Sequence, residues 1–222
     1  MSTWARVTSL VLVLQVALAA GAQGAIITFQ LDHEFSGGTP PAGLAPWLTA
    51  TFDDGSDLTD GIVTLTLAAT NLTGSEKTKE WYLNLDPVLT PGDLEFTVAS
   101  KTGAFDDPTI SRGTNAYQAG SDGEYDILFA FTHSGPAMKT FGEGDSIQYT
   151  VRLIGSTALG AGSFDFLSEP AGGHGPYSTA AHVQSIGPDE DSGWVTVPEP
   201  ASVGLLALGL GAVAALRRRA GK

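Results

Sequence analysis

The sequence predicts an all-β protein, an antiparallel β-sandwich of jelly-roll or immunoglobulin- or cohesin-like type, flanked by an N-terminal signal peptide and a C-terminal transmembrane helix. Three observations support this fold class. Apolar and polar residues alternate with a period of two in one segment after another. Glycine, proline, aspartate and serine separate these segments. No part of the body shows the period of about 3.6 residues that is typical of an amphipathic helix.

Six alternating stripes predict strands of the body. In each stripe the apolar side chains point toward a partner sheet and the polar side chains point toward solvent. The apolar members are Ile27, Phe29 and Leu31; Val63, Leu65 and Leu67; Trp81, Leu83 and Leu85; Leu94, Phe96 and Val98; Tyr125, Ile127, Phe129 and Phe131; and Ile147, Tyr149, Val151 and Leu153.

Two long segments are predicted as connections between strands. Residues Gly37 to Pro46 contain three prolines, which cannot donate backbone hydrogen bonds to a sheet. Residues Gly103 to Asp122 carry turn signals at Asp107-Pro108 and Arg112-Gly113. Loops of this length are uncommon unless they are functional or mobile.

Composition limits the classes of function. The chain has 222 residues and no cysteine, so disulfides and thiolate chemistry are excluded. Residues 26–190 are predicted to form a single domain, an ordinary length for one core. Between Ile26 and Val197 there are 23 acidic and 6 basic residues, a formal charge of −17. Such a body repels nucleic acid and anionic membranes; it could attract Ca²⁺ or cationic polymers, or the charge could serve solubility.

The N-terminal residues Met1 to Ala22 have the pattern of a secretory signal peptide. Arg6 supplies the positive charge, and Leu10 to Ala20 form a short apolar region. Small residues follow it, so cleavage is expected after Ala22 or after Ala25. The general secretion machinery is therefore an expected partner.

The C-terminal segment has three parts in a fixed order. After a predicted spacer over residues 191–197 come Pro198-Glu199-Pro200, the uncharged run from Ala201 to Leu216, and then Arg217, Arg218 and Arg219. Sixteen helical residues extend about 24 Å, slightly less than a bilayer core, and long arginine side chains can cover the difference. The arginines are expected to stay in the cytoplasm, which leaves the body outside.

These three parts resemble the PEP-CTERM sorting signal of exported bacterial proteins. The resemblance covers roughly the last tenth of the chain. It implies that an exosortase, a membrane processing enzyme, recognises Pro198, Glu199 and Pro200 while the apolar run holds the precursor in the membrane. It also implies delivery to the cell surface or extracellular matrix, in bacteria that typically make exopolysaccharide. Exopolysaccharide is therefore a further expected partner.

Two groups of side chains are candidate metal ligands. Asp53, Asp54, Asp57 and Asp60 surround a glycine and could bind Ca²⁺, but the EF-hand glutamate is missing because Thr64 stands in its place. The alternative is a solvated hairpin turn. His174 and His182 could share a metal with Asp165 or Glu169. The alternative is a structural loop with His182 on the polar side of a strand.

Two tyrosines are candidates for contact with a sugar ring. Tyr82 is expected on the solvent face opposite Trp81, and Tyr117 is expected in a loop. Trp81 itself is in register with Leu83 and Leu85 and is expected in the core.

No catalytic motif is found. The chain has no Gly-x-Ser-x-Gly elbow and no His-Glu-x-x-His helix, and its many acidic residues make any pair uninformative. The expected function is therefore that of a non-enzymatic, exported surface or matrix protein without a cofactor. The alternatives are a carbohydrate- or calcium-dependent binding module and, third, a polysaccharide hydrolase.

Overall fold

A computed structural model describes residues 24–56, 60–134 and 139–198. The all-β prediction is confirmed, because the described residues form twelve strands and two short 3-10 helices, Pro91–Asp93 and Ala161–Phe164. The helices within these ranges lack the length and the apolar character that a membrane span requires. The predicted signal peptide and transmembrane helix lie outside the described residues.

The strands are joined by connections that range from one residue to the 25 residues 154–178. In chain order they are β1 (Ile26–Leu31), β2 (His33–Glu34), β3 (Leu48–Asp53), β4 (Ile62–Ala68), β5 (Lys77–Leu83), β6 (Leu94–Thr102), β7 (Thr109–Ala119), β8 (Asp122–Ala130), β9 (Phe141–Gly142), β10 (Ser146–Leu153), β11 (Thr179–Ile186) and β12 (Asp191–Thr196).

The strands form two antiparallel sheets. The five-stranded sheet has the order β1-β3-β4-β10-β6. The seven-stranded sheet has the order β2-β12-β11-β5-β8-β7, and β9 pairs with the beginning of β5. Every pair of neighbouring strands is antiparallel.

The predicted stripes supply the core between the sheets. Val63, Leu65 and Leu67 of β4 are fully buried, and so are Ile127 and Phe129 of β8. These side chains belong to one hydrophobic cluster, called here the main core, that takes residues from both sheets. The two sheets thus share a core, which agrees with the sandwich prediction.

The prediction of a long connection between Gly103 and Asp122 is wrong. Most of this segment forms β7, which pairs with β8 at the edge of the seven-stranded sheet. The register shifts between Arg112 and Tyr117, and Asn115 has a positive φ of 50°. An edge strand tolerates such a bulge because it has one neighbour instead of two. Turn-forming residues therefore do not end it.

The segment from Gly37 to Pro46 contains no strand, as predicted. It is nevertheless tied to the body. The amide of Thr39 donates to the carbonyl oxygen of Ser192 at 3.1 Å, and the amide of Ala42 donates to Oε1 of Glu76 at 2.7 Å. These bonds satisfy backbone groups that a proline-rich loop cannot pair in a sheet.

Candidate functional site

The last described strand leads directly into the predicted sorting segment. β12 lies between β11 and β2, and its final residue, Thr196, is fully buried. Thr196 Oγ1 donates to the carbonyl oxygen of Thr179 at 2.5 Å, and the carbonyl of Thr196 accepts from the amide of Asp32 at 3.1 Å. Val197 packs against the main core, and Pro198 is exposed. The body therefore ends one residue before the first proline of the motif.

The predicted spacer over residues 191–197 is wrong. Asp191–Thr196 is a strand of the body, and Val195 within it is fully buried. The acidic run that suggested a solvated spacer begins in the turn before this strand, where the amide of Glu190 donates to the carbonyl oxygen of Gly187. A signal for the strand is present in the sequence, because residues 194–197 are one aromatic and three β-branched residues.

Most of the predicted sorting residues lie outside the described part of the chain. This applies to Glu199, Pro200, Arg217, Arg218 and Arg219, and to the apolar run between them. The described structure therefore locates the start of the motif, at the end of β12, and the sequence supplies the rest.

The expectation that Tyr82 faces solvent is wrong. Its side chain is 4% exposed, because a second apolar layer covers this face of the seven-stranded sheet. The ring lies 5.5 Å from that of Tyr125 and 5.8 Å from that of Trp194, and its hydroxyl donates to Oε2 of Glu80 at 3.1 Å. Burial, followed by the charge of Glu80, raises the pKa of Tyr82. The ring offers no open face on which a sugar could stack.

Tyr117 lies in β7 rather than in a loop. It pairs with Tyr125 of β8 and is half-buried against the second apolar layer. The layer also contains Phe35 and Tyr177, whose rings are 4.6 Å apart. Both predicted sugar-contact tyrosines thus contribute to a small second core on the outer face of this sheet. Sugar contact at Tyr117 stays a prediction.

The carboxylates of the acidic cluster accept hydrogen bonds from backbone amides. Oδ1 of Asp53 accepts from Gly55 at 2.7 Å, and Oδ1 of Asp60 accepts from Ile62 at 2.8 Å. Both are local bonds of the kind that aspartate makes in turns. Asp54 accepts from the amide of Ala161, which ties the β3–β4 turn to a distant 3-10 helix, Ala161–Phe164. These contacts favour the turn interpretation.

His174 lies in the loop before β11 and pairs with the buried carboxylate of Asp122, the first residue of β8. Its Nδ1 lies 3.2 Å from Oδ2 of Asp122, and Oδ1 of Asp122 accepts from the amides of Gly173 and His174 at 2.7 and 2.9 Å. Burial raises the pKa of Asp122, but the hydrogen bonds from His174 and Gly173 outweigh it and hold the pKa below its ordinary value. Asp122 therefore fastens this glycine-rich loop to the β7–β8 hairpin.

His182 stacks on Trp194 of the neighbouring strand. The ring centroids are 4.4 Å apart and the planes differ by 7°. Nδ1 of His182 is buried and has no hydrogen-bond partner among the described residues. Burial, followed by the charge of Lys79, lowers the pKa of His182. The structure thus pairs His174 with Asp122 and His182 with Trp194.

Within residues 24–56, 60–134 and 139–198, no three His, Cys, Asp or Glu side chains are arranged to hold a metal ion. Asp57, a member of the predicted calcium cluster, lies outside these ranges. Calcium and transition-metal binding stay predictions, and calorimetric titration of the purified chain with CaCl₂ and ZnCl₂ is their direct test.

Comparison with known proteins identifies the C-terminal segment. Residues 196–219 match the PEP-CTERM protein-sorting motif, which begins at the last residue of β12. No curated protein and no solved structure matches the chain. The chain therefore carries a PEP-CTERM sorting motif, as its final residues predict, and the body before it is of uncharacterised type.

Proposed function

We propose that this protein is a non-enzymatic component of the cell surface or extracellular matrix, delivered there by exosortase processing of its C-terminal motif. The match over residues 196–219 carries the proposal, because the motif implies export and a membrane-anchored precursor. The precursor would be held by the apolar run from Ala201 to Leu216, with Arg217 to Arg219 on the cytoplasmic side. The enzyme would act near Pro198, Glu199 and Pro200.

The body has the properties of a passenger that works outside the cell. It needs no disulfide, because the chain has no cysteine and its two sheets share one hydrophobic core. This shared core supports the sandwich architecture of jelly-roll or immunoglobulin- or cohesin-like type that we propose for the body. The high acidic charge favours solubility in a hydrated matrix. Association with exopolysaccharide is proposed from the motif's usual occurrence in bacteria that make such polymers.

The main support for a non-enzymatic role comes from the described polar side chains. The acidic residues singled out in the sequence hold turns in place, as Asp53, Asp54 and Asp60 do. Asp122, which the sequence did not single out, holds the loop of His174. His182 is stacked and partly buried. Hydrolysis of the producer's own polysaccharide by the purified chain, lost on changing one carboxylate, would contradict this role.

The sorting proposal is tested by changing the motif in the producing cell. Glu199→Gln, or deletion of Arg217 to Arg219, is expected to leave unprocessed precursor in the membrane fraction. Asp189→Asn is the matched control, because it removes an acidic charge from an exposed turn ten residues earlier without touching the motif. Processing and release of the Glu199→Gln chain at the rate of the unchanged chain would contradict the proposal.

A further inference from the structure

The chain leaves the body at a defined end of the seven-stranded sheet. Ala180 of β11 pairs with Thr196 of β12 on one side and with Tyr82 of β5 on the other. Since β11 is antiparallel to both, β5 and β12 run in the same direction, and their last residues lie at the same end of the body. Two strand spacings separate them, about 10 Å.

Beyond the end of β5 the chain makes a tight turn with an apolar residue at its outermost position. The amide of Leu89 donates to the carbonyl oxygen of Asp86 at 2.9 Å, and the amide of Val88 donates to Oδ1 of Asp86 at 2.9 Å. The Val88 side chain is 83% exposed. Asp86 therefore holds Val88 outward from the body.

A second exposed apolar side chain lies beside this turn. Nδ2 of Asn84, the residue after β5, donates to the carbonyl oxygen of Phe166 at 3.1 Å, and the next residue, Leu167, is 59% exposed. The turn and residues 166–167 line a common cavity of about 140 Å³. We call Pro87, Val88 and Leu167 the apolar tip. It lies at the end of the body from which the sorting segment departs.

We propose that the apolar tip contacts the lipid bilayer while the precursor is anchored. Val197 is packed in the body and Ala201 begins the apolar run, so an extended chain of four residue steps, about 14 Å, is all that separates them. The end of the body that carries β5 and β12 must then lie close to the membrane. Exposed apolar side chains at that end can enter the interface between headgroups and acyl chains.

Even a weak affinity of the apolar tip for the bilayer is sufficient for this contact. The anchor makes contact of the tip with the bilayer an intramolecular event with a high effective concentration, so Val88 and Leu167 need not bind a membrane by themselves. The contact is apolar and not electrostatic, because the body is acidic and Asp86 lies within the turn. This inference rests on the proposed function, since it requires the C-terminal anchor.

The absence of cysteine allows a direct test on the full chain. Single changes Val88→Cys and Leu167→Cys are each labelled with a fluorophore sensitive to its surroundings. The labelled chains are reconstituted in phosphatidylcholine vesicles that carry a lipid-bound quencher. Leu44→Cys is the control, because Leu44 is 85% exposed and lies near Ala42, which is bonded to Glu76 at the opposite end of β5. Leu206→Cys, within the apolar run, reports whether the anchor is inserted.

The expected result is that labels at positions 88, 167 and 206 are quenched several-fold more than the label at position 44. Quenching at 206 together with equal, weak quenching at 44, 88 and 167 would overturn the apolar tip and leave the anchor intact. Weak quenching at all four positions would overturn the anchor, and with it the proposed mode of sorting. A blue-shifted label at 88 that the lipid quencher does not reach would also overturn the inference, because it indicates a protein contact.

Discussion

At the scale of single residues, the surroundings of His182 favour the neutral form of its imidazole. Its ring is stacked on Trp194. Burial lowers the pKa of His182 from the ordinary 6.5, and the charges of Lys79 and His133 lower it further, whereas the charge of Glu80 opposes this shift. Because the imidazole is kept neutral in the fold, the unfolded chain takes up the proton first as the pH falls.

Stability is therefore expected to decrease as the pH drops from 6.5 toward the lower pKa of the folded state. His182→Phe retains a ring on Trp194 and removes the titration, so its urea-unfolding free energy should fall less between about pH 7.5 and 5.5. His33→Gln, at an exposed position in β2, is the control and should retain the decrease. The same pH dependence in the His182→Phe chain would contradict the assignment.

Thr179 is a second residue on which several contacts depend. Its Oγ1 accepts from Nε1 of Trp81 at 3.0 Å and donates to the carbonyl oxygen of Tyr82 at 2.7 Å, and its carbonyl accepts from Oγ1 of Thr196. Trp81 and Thr179 are both fully buried. The hydroxyl therefore connects the core, β5 and β12.

Thr179→Val keeps the shape and removes the hydroxyl, which leaves the Trp81 donor buried without a partner. We expect a loss of about 1–3 kcal/mol in the free energy of unfolding. Thr28→Val, at an exposed Thr28–Thr51 hydroxyl contact on edge strand β1, is the matched control and should change it by less than about 0.5 kcal/mol. Denaturant titration measures both, and equal effects would contradict the buried network.

At the scale of elements, the β7–β8 hairpin closes over the outer face of its own sheet. Its turn residue Gly120 has a φ of +68°, and a Cβ there would lie 3.1 Å from Nε1 of Trp194 on β12. The hairpin tip thus packs against a strand four places away in the sheet order. This contact helps to cover the second apolar layer that buries Tyr82.

Gly120→Ala is expected to destabilise the protein more than Gly144→Ala does. Both positions have a left-handed backbone, which costs about 1–2 kcal/mol with a side chain. A Cβ at Gly144 meets nothing within 4 Å, whereas one at Gly120 meets the indole. The difference between the two free energies of unfolding therefore isolates the contact with Trp194. Equal losses would show that the turn can move away from the indole at no cost.

Edge position explains where the prediction of elements succeeded and where it failed. The stripe of Ile127 and Phe129 is fully buried, as its alternation predicts, because β8 lies inside its sheet. The stripe beginning at Leu94 loses its pattern along β6, where Val98 is 42% exposed. β6 is an edge strand and extends past the core. The alternation shows which face a strand buries, and its position in the sheet decides how much of that face is covered.

At the scale of the whole molecule, β12 joins the body to the sorting segment. It is held by β11 and β2, and Val195 belongs to the main core. A strand that is paired on both sides and contributes to the core cannot serve as a flexible linker between the body and the membrane. In the precursor that we propose, this arrangement keeps the body close to the bilayer until the motif is processed.

A chain that ends after Pro188 is therefore expected to lose the cooperative unfolding transition that a chain ending after Pro198 retains. Removing β12 uncovers the edge of β11 and takes Val195 from the core. Circular dichroism during thermal unfolding compares the two chains. A sharp transition in the shorter chain at the same temperature would show that residues 189–198 are a spacer after all.

The sequence by itself determined the fold class, the core stripes and the sorting motif, because each depends on order along the chain. Alternation with a period of two marks a strand with one apolar face. The sorting motif is recognised because the Pro-Glu-Pro tripeptide, the apolar run and the arginines follow one another in a fixed order. Tertiary structure alone decided that Tyr82 is buried, that β7 continues through its turn signals, and that β12 belongs to the body. These outcomes depend on which strands become neighbours and on what covers the outer face of a sheet. Such contacts join residues far apart in the chain, so local patterns do not contain them.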